Sequence, residues 1–269
     1  MSLSQSRVLL TGATGGIGRT IALALSQQGA SLLLSARSSN LLQLLTDEIQ
    51  SRSKISPAWT VANLGNPEQI EDLAKCAINW NCNTVIHCAG QSGFGAVGEI
   101  EVDDLYRLMH LNLLAPMVLT QHLLPHLLKI PNAQMIFVGS VLGAIGIPAN
   151  SAYCASKFGL RGYSESLRRE LGPDSIKVKY FGPRATNTEF NTERVQDFNR
   201  LTGAQTDDPF VVTQALVDLM RRDIPEMFIG FPERIAVRLN CAYPTLLDSS
   251  FSKHRAAIRT HLTSSSIVS

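Results

Sequence analysis

At 269 residues, with 45% apolar and 17% charged side chains, the chain is long enough to bury the core of one large domain or two modest ones. A formal net charge of +2 leaves no electrostatic footprint for nucleic acid or for a polyacidic partner. The five cysteines, Cys76, Cys82, Cys88, Cys154 and Cys241, fall at neither C-x-x-C nor zinc spacing, which predicts reduced thiols in a cytoplasmic protein and no metal site.

The polar opening stretch, 1–7, is not expected to act as a signal peptide. A short apolar run at 7–10 predicts a first strand, and a glycine-rich turn, 11–18, follows it. Ile21, Ala22 and Leu25 then share one face of a helix that ends at Gly29, and 31–35 reads as a second strand. Strand, glycine turn, helix and strand within about thirty residues make a βαβ unit.

The alternation continues along the chain. Strands are expected at 58–61, 84–88, 134–139 and 176–181, with helices at 67–77 (Asn66 near its cap), 103–128 and 151–171. Short apolar runs without polar alternation suit parallel strands covered on both faces. The predicted fold is therefore α/β, a Rossmann-type doubly wound parallel sheet flanked by helices, in a single domain over 1–230. Residues 187–208 turn polar and irregular and mark a substrate-loop region; a helix at 209–221 and a last strand at 226–229 follow.

Residues 231–269 form a C-terminal tail that mixes apolar with basic side chains (Ile235, Val237, Arg238, Leu239; Lys253, Arg255, Ile258, Arg259). That pattern predicts an amphipathic helix on the protein's own surface, with lining of a substrate mouth or contact with lipid as the other readings. The most apolar long stretch, 111–130, contains Asn112, Gln121, His122, His126 and two prolines, which favours a buried or subunit-facing helix over a membrane span.

Gly12, Gly16 and Gly18 stand where a strand hands over to a helix. Glycines there permit a tight turn and close approach of backbone N–H groups to a pyrophosphate, and the helix N-terminus adds partial positive charge. The second strand ends in Ser35-Ala-Arg-Ser38. There is no acid to hold a ribose 2′-hydroxyl, whereas the Arg37 guanidinium suits a 2′-phosphate, so NADP(H) is the expected cofactor.

Tyr153 and Lys157 lie four apart on a helix and project from one face. A free phenol titrates near 10 and is a poor acid or base at neutral pH; a neighbouring ammonium favours its ionised form. Ser140, at the end of the fifth strand, has a hydroxyl suited to orienting a substrate oxygen toward Tyr153.

Thr11-Gly-Ala-Thr-Gly-Gly-Ile-Gly18, Ser140 and Tyr153-Cys-Ala-Ser-Lys157 together resemble the short-chain dehydrogenase/reductase family, in its compact single-domain branch, over about residues 8–188. The turn also satisfies the Gly12, Gly15, Gly18 spacing of the longer, epimerase-like branch; the short chain and Cys88-Ala-Gly90 favour the compact one. The resemblance implies Tyr153 as acid/base, Lys157 as the group that lowers the phenol's pKa and binds the nicotinamide ribose, and Ser140 as the orienting hydroxyl. It makes Asn112 the holder of a water in a proton relay to Lys157.

By the same resemblance the dinucleotide rests on Gly12, Thr14, Gly15, Gly16, Ile17 and Gly18. Further contacts are implied from Arg37, Ser38, Asn63, Leu64, Cys88, Ala89, Gly90 and Pro183. Thr186 is implied to meet the carboxamide through its backbone and Thr188 through its hydroxyl, and a homodimer or homotetramer pairing through the helices that begin near Asp103 and Ser151 is expected. Three positions depart from the family pattern. His87-Cys-Ala-Gly90 replaces Asn-Asn-Ala-Gly, Asn63 replaces an Asp, and Arg184 replaces the glycine after Pro183. Arg184 is either solvated or ion-paired, or part of the site's rim.

His87 and His110 read as packing residues. His122 and His126 have i, i+4 spacing but no third ligand nearby. Cys88 and Cys154 read as small apolar packing. Phe94, Leu142, Ile145 and Ile147 beside the motifs suggest an apolar pocket closed by 189–205, the loop 91–98 and the tail. The expected activity is reduction of a hydrophobic carbonyl (lipid-like, acyl, steroid or aromatic). A 3-oxoacyl carrier-protein reductase and a dinucleotide-binding sensor without catalysis are the alternatives.

Overall fold

A computed structural model describes residues 3–265 apart from 189, 191 and 223, with side chains as far as residue 258. Seven strands, β1 (Arg7–Thr11), β2 (Ser31–Ala36), β3 (Ala58–Val61), β4 (Thr84–His87), β5 (Gln134–Val138), β6 (Lys177–Gly182) and β7 (Glu226–Phe228), form one sheet. Its order is β3-β2-β1-β4-β5-β6-β7, and every pairing is parallel.

Strand residues point alternately to two cores. Val8, Leu10, Leu32, Leu34, Ile86 and Ile136 face α1 (Gly16–Gln27), α2 (Ser39–Arg52) and α8 (Pro209–Arg221). Leu9, Leu33, Val85, Met135 and Phe137 face α3 (Pro67–Asn79), α5 (Ala115–Leu127) and α6 (Ser151–Leu171). Asn66 caps α3, its Oδ1 accepting from Glu68 N at 2.9 Å with Pro67 at the first turn. Buried Lys179 closes the other end of a helix: its Nζ donates to the carbonyls of Leu219 and Arg222 at 2.8 and 2.7 Å, where α8 leaves acceptors unpaired.

The structure corrects the expected elements in three places. Helix α2 fills a stretch for which no element was predicted, burying Leu42, Leu45 and Ile49 on one face. The single helix expected over 103–128 is α4 (Val102–Met109), a π-helical turn (His110–Leu114) and α5. The polar region 187–208 contains α7 (Glu193–Thr202), capped by Thr192 and held down by Val195 and Phe198.

The tail folds back as α9 (Glu233–Ala242), a 3₁₀ stretch (Pro244–Phe251) and α10 (Ser252–Ser265). Val237 packs with Val141, Ala144 and Ile145, and Asn240 Nδ2 donates to Ala144 O at 2.9 Å. Ile145 therefore belongs to the packing under α9 and not to the pocket wall expected of it. No helix among the described residues is long and apolar enough to cross a membrane, and none of their His, Cys, Asp and Glu side chains gather into a metal-holding group.

Candidate active site

The strand order reverses between β1 and β4, and the crevice beyond their carboxyl ends is where doubly wound sheets bind ligands. A cavity of about 840 Å³ opens there. Its floor is the turn from β1 into α1. Gly12 has φ +65°, and a Cβ on it would stand 2.7 Å from the Ala89 Cα. A Cβ on Gly16 would press on Thr188 Cβ at 2.5 Å, and one on Gly18 would overlap the Gly12 carbonyl. Only glycine lets these three segments approach. The Thr11 hydroxyl accepts from the amides of Cys88 and Ala89 at 3.1 and 3.2 Å, tying the ends of β1 and β4 together. No side chain caps the start of α1, so its first-turn N–H groups are left to an anion.

Thr14, Gly15 and Ile17 of the turn, Arg37, Asn63, Leu64, Cys88, Ala89, Gly90, Pro183, Thr186 and Thr188 all line this cavity. The structure thus brings together nearly every residue expected at a dinucleotide, in a cradle whose glycines leave the space such a ligand needs. Two members behave differently. Ser38 is committed to α2, its Oγ accepting from Leu41 N at 3.3 Å. Asn63 Oδ1 turns back to accept from Gly65 N at 3.0 Å.

Three of the residues expected to react, Ser140, Tyr153 and Lys157, line the same cavity, and Asn112 lies behind its wall. Ser140 follows β5, and its hydroxyl accepts from Leu142 N at 3.1 Å and faces the Tyr153 phenol closely enough to lower its pKa. One turn along α6, Lys157 Nζ donates to Val138 O at 3.2 Å and lies 5.7 Å from the centre of the Tyr153 ring. Asn112 sits in the π-helical turn, buried beneath the cavity. Its Oδ1 accepts from Gln91 N at 2.8 Å, while Nδ2 donates to Gln91 O at 3.0 Å and to Ser156 Oγ at 3.2 Å. A Cβ on Gly90 would meet Asn112 Oδ1 at 3.1 Å and Lys157 Nζ at 3.6 Å, so both groups close around that glycine. π-Helical turns inside α-helices recur at functional sites.

Burial governs the electrostatics. It raises the pKa of the Tyr153 phenol above its ordinary range, with the Ser140 hydrogen bond pulling the other way. It also pulls Lys157, 4% exposed, down to about 8. The expected lowering of the phenol by its lysine neighbour is not what dominates here; desolvation is, and the site holds a protonated tyrosine. Burial pushes Cys88 up to about 12, an inert thiol.

Four of the six histidines were singled out, and they serve different ends. His87, pulled down to about 3 by burial, stacks on Phe137 at 4.7 Å. His126 Nε2 lies 2.9 Å from Cys82 O, and His122 is exposed. His110 does more than pack: its Nε2 lies 3.1 Å from Leu64 O, tying the π-helical turn to the loop after β3 at the cavity wall.

Beyond Tyr153 the cavity becomes aromatic. Phe94, Leu142, Ile147, Phe190, Val195 and Phe198 line it, with His254 of α10. Phe190 lies 6.2 Å from the Tyr153 ring, and Phe198 stands edge-on to Phe94 at 5.0 Å and to His254 at 5.6 Å. The segment 189–205 and the tail were expected to close this pocket, but Val195, Phe198 and His254 were not singled out; the Val195/Phe198 pair, three apart in a polar segment, was the signal for α7. Arg184 is both ion-paired and part of the rim. At 15% side-chain exposure it bridges Asp207 at 2.6 Å and Glu233 at 3.2 Å, and it lines the cavity.

The profile of the short chain dehydrogenase family matches residues 6–199, and the chain belongs to that family. The "Uncharacterized oxidoreductase YxnA" of Bacillus subtilis (strain 168) is 27% identical over 260 residues, covering 93% of this chain and 72% of the relative. A putative short chain dehydrogenase from Shigella flexneri 2a str. 301, solved complexed with NADP, is 28% identical with a TM-score of 0.73, covering 83% of this chain and 96% of the other. A short chain dehydrogenase/reductase from Burkholderia phymatum in complex with NAD shares the fold at a TM-score of 0.81 and 17% identity, over 91% and 96% of the two chains. The protein is thus an oxidoreductase of this family, acting on CH–OH groups with a nicotinamide dinucleotide.

Proposed function

We propose that the protein is an NADP(H)-dependent reductase of a hydrophobic ketone or aldehyde, and that Ser140, Tyr153, Lys157 and Asn112 do the chemistry. The observation that carries this reading is the convergence of the Ser140 hydroxyl, the Tyr153 phenol and the Lys157 ammonium at one end of a glycine-walled dinucleotide cradle. Arg37, exposed at the end of β2 on the cavity wall, supports NADP over NAD, and the relative solved with NADP agrees with it. The aromatic chamber supports an apolar substrate.

The cofactor, held by the cradle residues, supplies the hydride. Everything else falls to the chain. A phenol kept protonated by burial is the form needed to donate a proton to a carbonyl oxygen as negative charge develops there. The Ser140 hydroxyl, fixed by Leu142 N and the phenol, orients that oxygen. Lys157, with a pKa of about 8, is charged at neutral pH and favours the tyrosinate left behind. Asn112 closes the path by which that proton returns. Phe94, Phe190 and Phe198 keep water from the reacting carbon.

We further read 231–265 as part of the same folded unit, and the exposed Leu105, Tyr106 and Phe158 of α4 and α6 as a face that pairs subunits. Turnover with NADPH across a panel of carbonyls tests the proposal. Long-chain or aromatic ketones are expected to react, Tyr153→Phe to lose about 10²–10⁴-fold in kcat with NADPH affinity kept. Preference for small charged ketones, or full activity in Tyr153→Phe, would overturn it.

A further inference from the structure

We infer that Tyr180 is a positioning residue for Ser140: its one hydroxyl clamps both polar groups of the Ser140 peptide. The inference rests on the reading of Ser140 given above.

The strand register creates the need for such a clamp. At the end of β5, Gly139 N donates to Phe181 O at 2.7 Å and Val141 N to Pro183 O at 2.9 Å, both toward β6. The alternation of a parallel ladder then turns the N–H and C=O of Ser140 the other way, toward β4. But β4 last pairs with β5 at His87↔Phe137, three residues short of Ser140. The Ser140 N–H would be left without a partner at a residue only 8% exposed, and its C=O would keep only the Gly143 N–H, which donates to it at 3.0 Å; a buried N–H left unpaired is costly.

Tyr180 takes both. Its Oη accepts from Ser140 N at 3.0 Å and donates to Ser140 O at 2.9 Å. Register explains the reach. Tyr180 pairs with Phe137, so residues 137, 139 and 180 project from one face of the sheet. Gly139 has no side chain, and the phenol ring crosses the sheet over it. A Cβ at 139 would overlap the ring, and a Cβ at Gly143 would overlap the hydroxyl. Tyr180 is 3% exposed and leans on Phe228 at 5.7 Å between ring centres. Burial raises its pKa, so the hydroxyl keeps the hydrogen that it donates to the Ser140 carbonyl beside the Gly143 N–H.

Ser140 is thereby held on both edges: its neighbours are tied to β6, and its own peptide groups to a side chain of β6. Its backbone is extended (φ −163°, ψ 161°) immediately before a 3₁₀ turn, which holds its carbonyl through Gly143 N at 3.0 Å and leaves its N–H to Tyr180. A phenylalanine at 180 would fill the same space and lose the hydroxyl, leaving the Ser140 N–H without the partner that helps set the direction of the Ser140 Cα–Cβ bond.

Four measurements on the purified 269-residue chain test this. Tyr180→Phe keeps the ring and should fold. Amide exchange at residue 140, followed by NMR, is expected to accelerate at least tenfold. With NADPH and the best carbonyl of the panel, kcat is expected to fall about ten- to a hundredfold with KM for NADPH unchanged. Added to Ser140→Ala, the same change is expected to cost nothing further, because it acts only through the serine hydroxyl. Gly139→Ala, which pushes the ring aside while keeping its hydroxyl, should reproduce the kinetic loss. Unchanged exchange at residue 140, or losses that multiply in the Ser140→Ala background, would overturn the clamp. Wild-type protein inert toward every carbonyl would strike the reductase reading, and the exchange measurement would still decide whether Tyr180 holds Ser140.

Discussion

Replacing Lys157 by methionine should make the protein more stable while it abolishes turnover. Lys157 is 4% exposed, and among the described residues its ammonium donates to Val138 O at 3.2 Å. Burial takes its pKa from the ordinary 10.5 to about 8, which corresponds to about 3 kcal/mol spent on keeping the ammonium charged at neutral pH. Methionine fills similar space without the charge. It leaves the Val138 carbonyl short of a donor, a loss of about 1–2 kcal/mol. The net expectation at pH 6.5 is a gain of about 1–2 kcal/mol, a rise in Tm of roughly 2–6 °C for a chain of this size.

The sign with pH follows from the same depression. Below pH 8 the lysine is charged both folded and unfolded, and the full penalty applies. Between 8 and 10.5 the folded protein has lost the proton that the unfolded chain still binds, so wild-type stability gains on the variant as pH rises. Urea unfolding of both proteins from pH 6.5 to 9.5 measures the difference, in which the tyrosines common to both cancel. A variant less stable than wild type at pH 6.5, or a gap that stays flat to pH 9.5, would refute the argument that desolvation of this ammonium is a stored cost of the site.

Gly18→Ala puts a Cβ into the Gly12 carbonyl, a backbone atom that can move only by opening the turn; NADPH affinity measured by fluorescence titration should drop at least about tenfold, with about 1–3 kcal/mol lost from stability. Arg37→Glu exchanges a 2′-phosphate partner for a 2′-hydroxyl acceptor, so the ratio of NADPH to NADH affinities should fall about a hundredfold; an unchanged ratio would remove Arg37 from the cofactor site. Arg184→Met leaves Asp207 and Glu233 facing each other without their shared cation, which should cost about 1–3 kcal/mol, make the tail beyond Gly230 more sensitive to limited proteolysis, and raise KM for the carbonyl more than for NADPH. Reduction should slow as pH climbs through about 8, where Lys157 loses its proton; a rate flat from pH 7 to 9.5 would contradict the role given to the ammonium.

The chemistry-bearing frame was written in local patterns of the chain. The glycine turn, the short apolar strands and the i, i+4 Tyr153/Lys157 pair are local patterns, and local patterns survive in a string because the backbone period that produces them spans only a few residues. Helix α2 has such a stripe in Leu42, Leu45 and Ile49, but its many polar residues hid it and no element was expected there. The interruption of helix 103–128 by a π-helical turn was not legible, since its apolar pattern runs on unbroken; what sets Asn112 in that turn against Gln91 and Ser156 is contact with segments 21 and 44 residues away. The partners of Arg184, Asp207 and Glu233, lie 23 and 49 residues off, and Tyr180 meets Ser140 across 40. The balance that keeps Tyr153 protonated also belongs to the tertiary structure, because desolvation depends on everything packed around a group and on no neighbour in sequence.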